Sequence, residues 1–303
     1  MSTSVPTPLG VVAHYNLLER LEPSGPGDLF RARDTRLGRT VTVRLLPSGY
    51  PQDPAERARL FDSAKAVIAI SHPNVTTLFD AGEHDGRVYL VFEYLKGQSL
   101  RAEMAGRPMN IRRAVELAIQ IADGVAEAHG AGFIHGGLSP DTIVITAKGH
   151  AKIPAFELAS RGGFEATDGG VRLRDYEAPE EAKGHPPDDR SDIYSVGAVL
   201  YEMLTTRRPP PKGAAAPSAS NASVPKELDD VVLRAAAPNP DLRYQSVATL
   251  SAELRSLAAI LDVRGVAADE PELDVPQTNV GRIFLIAAVI LALLAALVFY
   301  FMS

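Results

Sequence analysis

The chain has 303 residues, no Cys and a formal net charge of −6. That length supplies one large domain or two small ones. The mildly acidic balance leaves no electrostatic footprint for nucleic acid as a partner, and the missing Cys exclude disulfides and thiolate-bound metal.

In chain order, residues 1–13 carry Pro, Ser and Thr and read as a flexible N-terminus; the first 40 residues hold no apolar run of secretory-signal length. Alternating apolar and polar positions predict strands in YNLLERL (15–21), DLFRARD (28–34) and TVTVRLLP (40–47). Leu60, Phe61, Ala64, Val67 and Ile68 give residues 54–70 helical spacing, and two further strands are expected around 75–79 and 88–94. After Gly97 the pattern turns helical. Residues 111–130, 191–205, 226–237 and 246–261 read as helices, with a short hairpin at 143–145 and 151–153 turning at Lys148-Gly149, and a small-residue loop at 212–223.

Residues 262–281 are acidic and aperiodic and read as a linker, with a reach of roughly 25 Å as a flexible coil. Residues 283–302 (IFLIAAVILALLAALVFYFM) carry no charge. At ~1.5 Å per residue they match the ~30 Å hydrocarbon core of a bilayer. Residues 282–302 are therefore expected to form a transmembrane helix, with Arg282 at the near interface and Tyr300 at the far one. Only Ser303 follows, so the expectation is a tail-anchored, single-pass membrane protein whose folded part is cytoplasmic and whose C-terminus crosses the membrane.

Several segments, in order, resemble the bacterial Ser/Thr protein kinase family. The opening YNLLERLEPSGPGDLFRARDTRLGRTVTVRLLP is similar to the family's first strands. SHPNV (71–75) resembles the segment after its N-lobe helix, and VYLVFEYLKGQSL (88–100) its fifth strand and hinge, with Phe92 as gatekeeper and Glu93 to Leu95 as hinge. IHGGLSPDTIVI (134–145) stands where the catalytic loop belongs and AKIPAFELA (151–159) where the magnesium motif belongs. Ala178-Pro179-Glu180, RSDIYSVGAVLYEMLTTRRP (190–209) and PNPDLRYQS (238–246) complete the match. The resemblance implies an α+β, two-lobed kinase-like fold: a small strand-rich N-lobe over 14–95 with one helix and a larger helical C-lobe over 96–261.

The family transfers phosphate by positioning and charge neutralisation, and the residues that do so are replaced. In place of G-x-G-x-x-G, whose glycines let backbone amides approach phosphate, stand Glu22, Ser24 and Gly27. The strand Lys becomes Arg44, which keeps the charge but not the shape, and Thr42 replaces the small residue over the adenine. The helix Glu that pairs with that Lys is Ser63, with Asp62 about 100° round the helix. The catalytic Asp, Lys and Asn become Gly137, Ser139 and Thr142, and the metal-binding Asp becomes Ala155, with Glu157 two residues late. Arg172-Leu173 replace the Gly-Thr of the peptide platform. No metal site and no cofactor are expected, although the sequence leaves weak or metal-independent ATP binding open.

Packing positions are kept. The resemblance places the family's hydrophobic spine on Val67, Leu78, His135 and Phe156, its buried Asp on Asp192, and the ion pair that closes the activation segment on Glu180 and Arg243. The reading is a degenerate, pseudokinase member of the family: a membrane-anchored scaffold or allosteric regulator whose protein partner is an active kinase or its substrate. The alternatives are an unconventional Ser/Thr kinase or other nucleotide-dependent transferase using Arg44, Asp141, Lys152 and Glu157, and a purely structural remnant. Ser160 and Thr167 are either phosphorylation sites or ordinary loop hydroxyls.

Overall fold

The structure, a computed structural model, describes residues 8–21, 27–154, 173–210 and 212–269, without the side chains of 173, 174 and 262–269. Glu22, Ser24, Ala155, Phe156, Glu157, Ser160, Thr167, Arg172 and the apolar segment 283–302 lie outside the described residues. Among those described, no helix is long and apolar enough to cross a membrane.

Six antiparallel strands, β1 (Gly10–Val12), β2 (Tyr15–Leu21), β3 (Asp28–Asp34), β4 (Arg39–Leu45), β5 (Leu78–His84) and β6 (Arg87–Glu93), form one sheet in the order β1-β2-β3-β4-β6-β5. The period-two alternation sorts its side chains. Val41, Val43, Tyr89 and Val91 join Tyr15 and Leu17 in a core on one face, while Leu90 and Phe92 join the main core on the other. Thr42 and Arg44 lie directly opposite Phe92 and Leu90 in the ladder, so they share that second face. Helix α1 (Pro54–Ile68) covers it through Leu60, Ala64 and Val67; Asp53 caps its N-terminus by accepting the amide of Ala55.

The larger lobe is built on α3 (Ile111–Gly130) and α4 (Asp189–Thr205). Every residue of α4 from Ser191 onward is buried, and a reciprocal bond set between Asp188 and Ser191 closes its N-terminus. Around these two pack α2 (Leu100–Met104), α5 (Pro217–Ser220), α6 (Lys226–Ala235) and α7 (Val247–Asp269). A small antiparallel sheet in the order β7 (Gly97–Ser99), β8 (Val144–Thr146) and β9 (Ala151–Lys152) completes this lobe, and the parallel bridge of Val75 to Ile153 ties its end to the smaller lobe. Residues 1–261 form one compact unit, and Asp262–Ser303 is a second.

Four expectations are corrected. The N-terminal stretch read as flexible contains β1, which pairs Val12 with Tyr15 and buries Val12. The strand expected at 75–79 starts at Leu78, because Val75 bridges to Ile153 and the Thr76 amide donates to the Ile153 carbonyl at 2.9 Å. The 212–223 loop contains α5. The last helix does not stop at 261 but runs to Asp269, into the stretch read as linker.

Candidate functional site: the cleft between the lobes

Three side chains, those of Asp192, His129 and His135, hold the 135–142 loop in place. Asp192, fully buried on α4, accepts the backbone amides of His135 at 2.6 Å and Gly136 at 2.8 Å, and its Oδ2 lies 2.8 Å from His129 Nε2. His135 Nε2 donates to the Pro154 carbonyl at 2.9 Å. Burial pushes the His135 imidazole down from its ordinary pKa, so the ring is neutral and acts as a structural pin between the loop and the segment after β9.

Inside the loop, Ser139 and Thr142 turn on each other. The Ser139 amide donates to Thr142 Oγ1 at 3.1 Å, the Thr142 amide to Ser139 Oγ at 3.3 Å, and Thr142 Oγ1 also reaches the carbonyls of Gly137 and Ser139. Both residues are buried, Ser139 completely. Their polar atoms are consumed by the loop's own backbone, a local pattern that short hydroxyl side chains form readily. Gly137, between them and His135, adds no side chain at all.

At the roof, Arg44 is buried on β4, and Ser63 is half-buried on α1. The neighbouring Asp62 carboxylate accepts from Lys65 at 3.1 Å on the exposed side of the helix. Gly27 holds a positive φ of 84°, and a Cβ there would lie 2.1 Å from the Leu45 carbonyl oxygen. Its glycine is therefore demanded by the β3–β4 pairing, whether or not anything lies beneath it.

At the hinge, Phe92 is buried in the main core and Leu95 is half-buried. The Glu93 carboxylate accepts the Thr77 amide at 2.9 Å and the Lys152 ammonium at 2.5 Å, and Lys152 also reaches the Val75 carbonyl. Asn74 donates to the Ala151 carbonyl at 2.8 Å, and the Gln120 side chain accepts the Ala151 amide at the same distance. These bonds join the N-lobe to β9 and α3.

Within the larger lobe lies a cluster that sequence reasoning missed. Arg101 on α2 donates to Asp141 at 3.1 Å, to Glu202 on α4 at 2.5 Å and to the Tyr176 hydroxyl at 2.5 Å, while Tyr176 donates to Glu202. Arg101, Asp141 and Glu202 border a cavity of about 550 Å³ that Asp175, Arg207 and Arg208 also line. Burial opposes the guanidinium's charge, but the bonds to Asp141, Glu202 and Tyr176 outweigh it and raise its pKa. Burial and the bond to Glu202 likewise push the Tyr176 phenol up. No local signal could have found this: the partners lie 40, 75 and 101 residues from Arg101.

The retained pair is formed. Arg243, fully buried, meets Glu180 through two bonds of 2.6 and 2.7 Å and also donates to the carbonyls of Ala237 and Arg190. Burial pushes the Glu180 carboxyl up, but the Arg243 bond and charge prevail and hold it below its usual range. Val67 and Leu78 are both buried in the main core. Among the described residues no three His, Asp or Glu side chains gather as a metal-binding group.

The chain's residues 25–261 match the family model of the protein kinase domain. It is 32% identical to a probable serine/threonine-protein kinase of Streptomyces coelicolor, over 84% of this chain and 41% of that protein. It is 33% identical to serine/threonine-protein kinase PknB of Mycobacterium tuberculosis, over 82% and 43%, and 29% identical to serine/threonine-protein kinase PrkC of Bacillus subtilis, over 81% and 41%. The chain thus spans less than half the length of these curated relatives. Among solved structures, the kinase domain of Mycobacterium tuberculosis PknI superposes with a TM-score of 0.69 at 20% identity, covering 84% of this chain and all of that one, which shows the two-lobed fold.

Proposed function

The chain belongs to the bacterial Ser/Thr protein kinase family, and we propose that it is a catalytically inactive member, a pseudokinase that serves as a membrane-anchored scaffold or allosteric regulator in Ser/Thr kinase signalling. The observation that carries this reading is the 135–142 loop. Phosphoryl transfer needs a base, a cation and a metal ligand aimed at the nucleotide. Here Gly137 offers no side chain, and Ser139 and Thr142 spend their hydroxyls on their own loop. Each such group normally lowers the barrier, at ~1.4 kcal/mol per tenfold in rate, and at these three positions no side chain takes over the task.

Two of the polar groups that could serve an unconventional transferase are already engaged, Asp141 by Arg101 and Lys152 by Glu93. That favours the binding module over the enzyme. What the fold keeps is its shape: the Asp192 clamp on the loop and the Glu180–Arg243 pair. In this proposal residues 283–302 anchor the chain, the kinase-like domain stays cytoplasmic, and the protein partner is an active kinase or its substrate.

The test is the melting temperature of the purified full-length chain with millimolar ATP, with and without magnesium or manganese. A ligand that binds only the folded state raises it by mass action. The expected result is no metal-dependent rise; a clear one moves the function to nucleotide-dependent catalysis.

A further inference from the structure

We propose that one edge of the larger lobe, formed by the β7–β8–β9 sheet and the start of α3, rests against an anionic lipid surface. The inference depends on the reading of residues 283–302 as an anchor and goes beyond it by naming the face that the domain turns to the bilayer. A chain of hydrogen bonds traces the edge. The Ala147 amide donates to the Lys96 carbonyl at 2.9 Å, which sets Lys96 beside the β8–β9 turn that carries Lys148. Arg113 Nη2 donates to the Gly149 carbonyl in that turn at 2.6 Å, and the next residue back, Arg112, donates to the Leu261 carbonyl at 3.0 Å. Four cations thus follow one another along the edge, and the edge ends at the last residue of the compact unit.

The sign of this edge is opposite to that of the chain as a whole, which carries −6. Residues 94–102 and 143–154, which supply the small sheet, contain no Asp or Glu. Acids also lie near this edge: Glu116, 3.6 Å from Arg113, Glu103, which accepts from Gln98, and, next in sequence to Leu261, Asp262. Lys96 and Lys148 are exposed. The occupant follows from where the chain goes next. It leaves the compact unit at Leu261, beside these cations, and after residues 262–282 enters the uncharged apolar segment. Residues 262–282 join this edge directly to that segment, so the edge is the part of the domain that leads to the anchor. Cations held there are attracted to anionic headgroups, and the attraction fades beyond a Debye length of about 8 Å, so only a face turned to the membrane feels it.

The experiment uses the full-length chain reconstituted into vesicles of phosphatidylcholine alone or of phosphatidylcholine and phosphatidylglycerol in equal parts. A water-soluble acylating reagent labels the lysines, and mass spectrometry reads Lys96 and Lys148 against the exposed Lys183. The expected result is several-fold lower labelling of Lys96 and Lys148 in the anionic vesicles only. High salt should restore it, and K148E, folded by its unchanged melting curve, should return Lys96 to the neutral-vesicle level. Equal labelling in both vesicles, with the protein still floating with them after an alkaline wash, overturns the edge and leaves the anchor standing. So does protection that survives both salt and K148E. Failure to float with either vesicle overturns the anchor reading, and the edge with it.

Discussion

Arg101 and Glu202, 101 residues apart in sequence, meet at 2.5 Å with the Tyr176 hydroxyl and Asp141 on the same guanidinium. One side chain on a five-residue helix therefore ties α2, the 135–142 loop, the end of the activation segment and α4 together. Glu202 is the deeply buried member, with 8% of its side chain exposed against 38% for Arg101. R101A leaves that carboxylate without its cation and should lower stability by about 2 kcal/mol, the upper range for a charged hydrogen bond being reduced here by the solvent access of Arg101. R101K should recover only part of this, since an ammonium cannot reproduce the fork that spans three acceptors. Denaturant melts of the three proteins give the answer, and an R101A melt indistinguishable from wild type would show the cluster to be ornamental.

The Ser139–Thr142 knot predicts strong coupling between two single substitutions. Removing one hydroxyl strands buried donors or acceptors that the other had satisfied, at about 1–2 kcal/mol. Once the first is gone, the second has less to lose. A double-mutant cycle of S139A and T142V should show the double variant less destabilised than the sum by on the order of 1 kcal/mol. Strict additivity would mean that the two hydroxyls do not act together.

Much of the scaffold was legible because it is written locally. The strands over 15–21 and 28–34 lie where alternation placed them, and α1 buries Leu60, Ala64 and Val67 at helical spacing. The strand β1 was not legible, since three residues carry too little pattern and its register comes from Tyr15 to Leu17 folding back on it. The last helix outran the reading: the stretch 262–281, read as an acidic and aperiodic linker, begins with eight residues that continue α7 to Asp269. At the cleft, sequence could say which side chains had been replaced. It could not say that Lys152 would close on Glu93 or that Arg101 would collect three acceptors, because those partners meet only through tertiary packing.

Gly27 separates a backbone role from a phosphate-binding one. Its φ of 84° and the Leu45 carbonyl 2.1 Å from where a Cβ would stand both resist any side chain. G27A should therefore cost about 1–3 kcal/mol through backbone strain. The loss should be the same with and without ATP when the melts are run in parallel. A loss that appears only as weaker nucleotide binding would return Gly27 to the phosphate loop.

Glu181 gives the pH dependence its sign. It follows Glu180 in a short 3-10 turn, and its Oε1 accepts the Ala178 amide at 3.0 Å. Burial raises its pKa to about 7, with Glu177, Asp192 and Glu180 adding to the rise and the Ala178 amide opposing it. The folded state therefore keeps a proton that the unfolded chain, with an ordinary carboxyl near ~4.3, has already released. Between those two values the folded state binds more protons, so stability falls as pH rises, and the fall is complete above about 7. E181Q keeps the acceptor oxygen and removes the titration. It should melt like wild type near pH 4, where the carboxyl is neutral in the folded state and largely neutral in the unfolded chain, and above wild type at pH 8. The opposite order at pH 8, wild type above E181Q, would mean that the ionised carboxylate is the form the fold prefers.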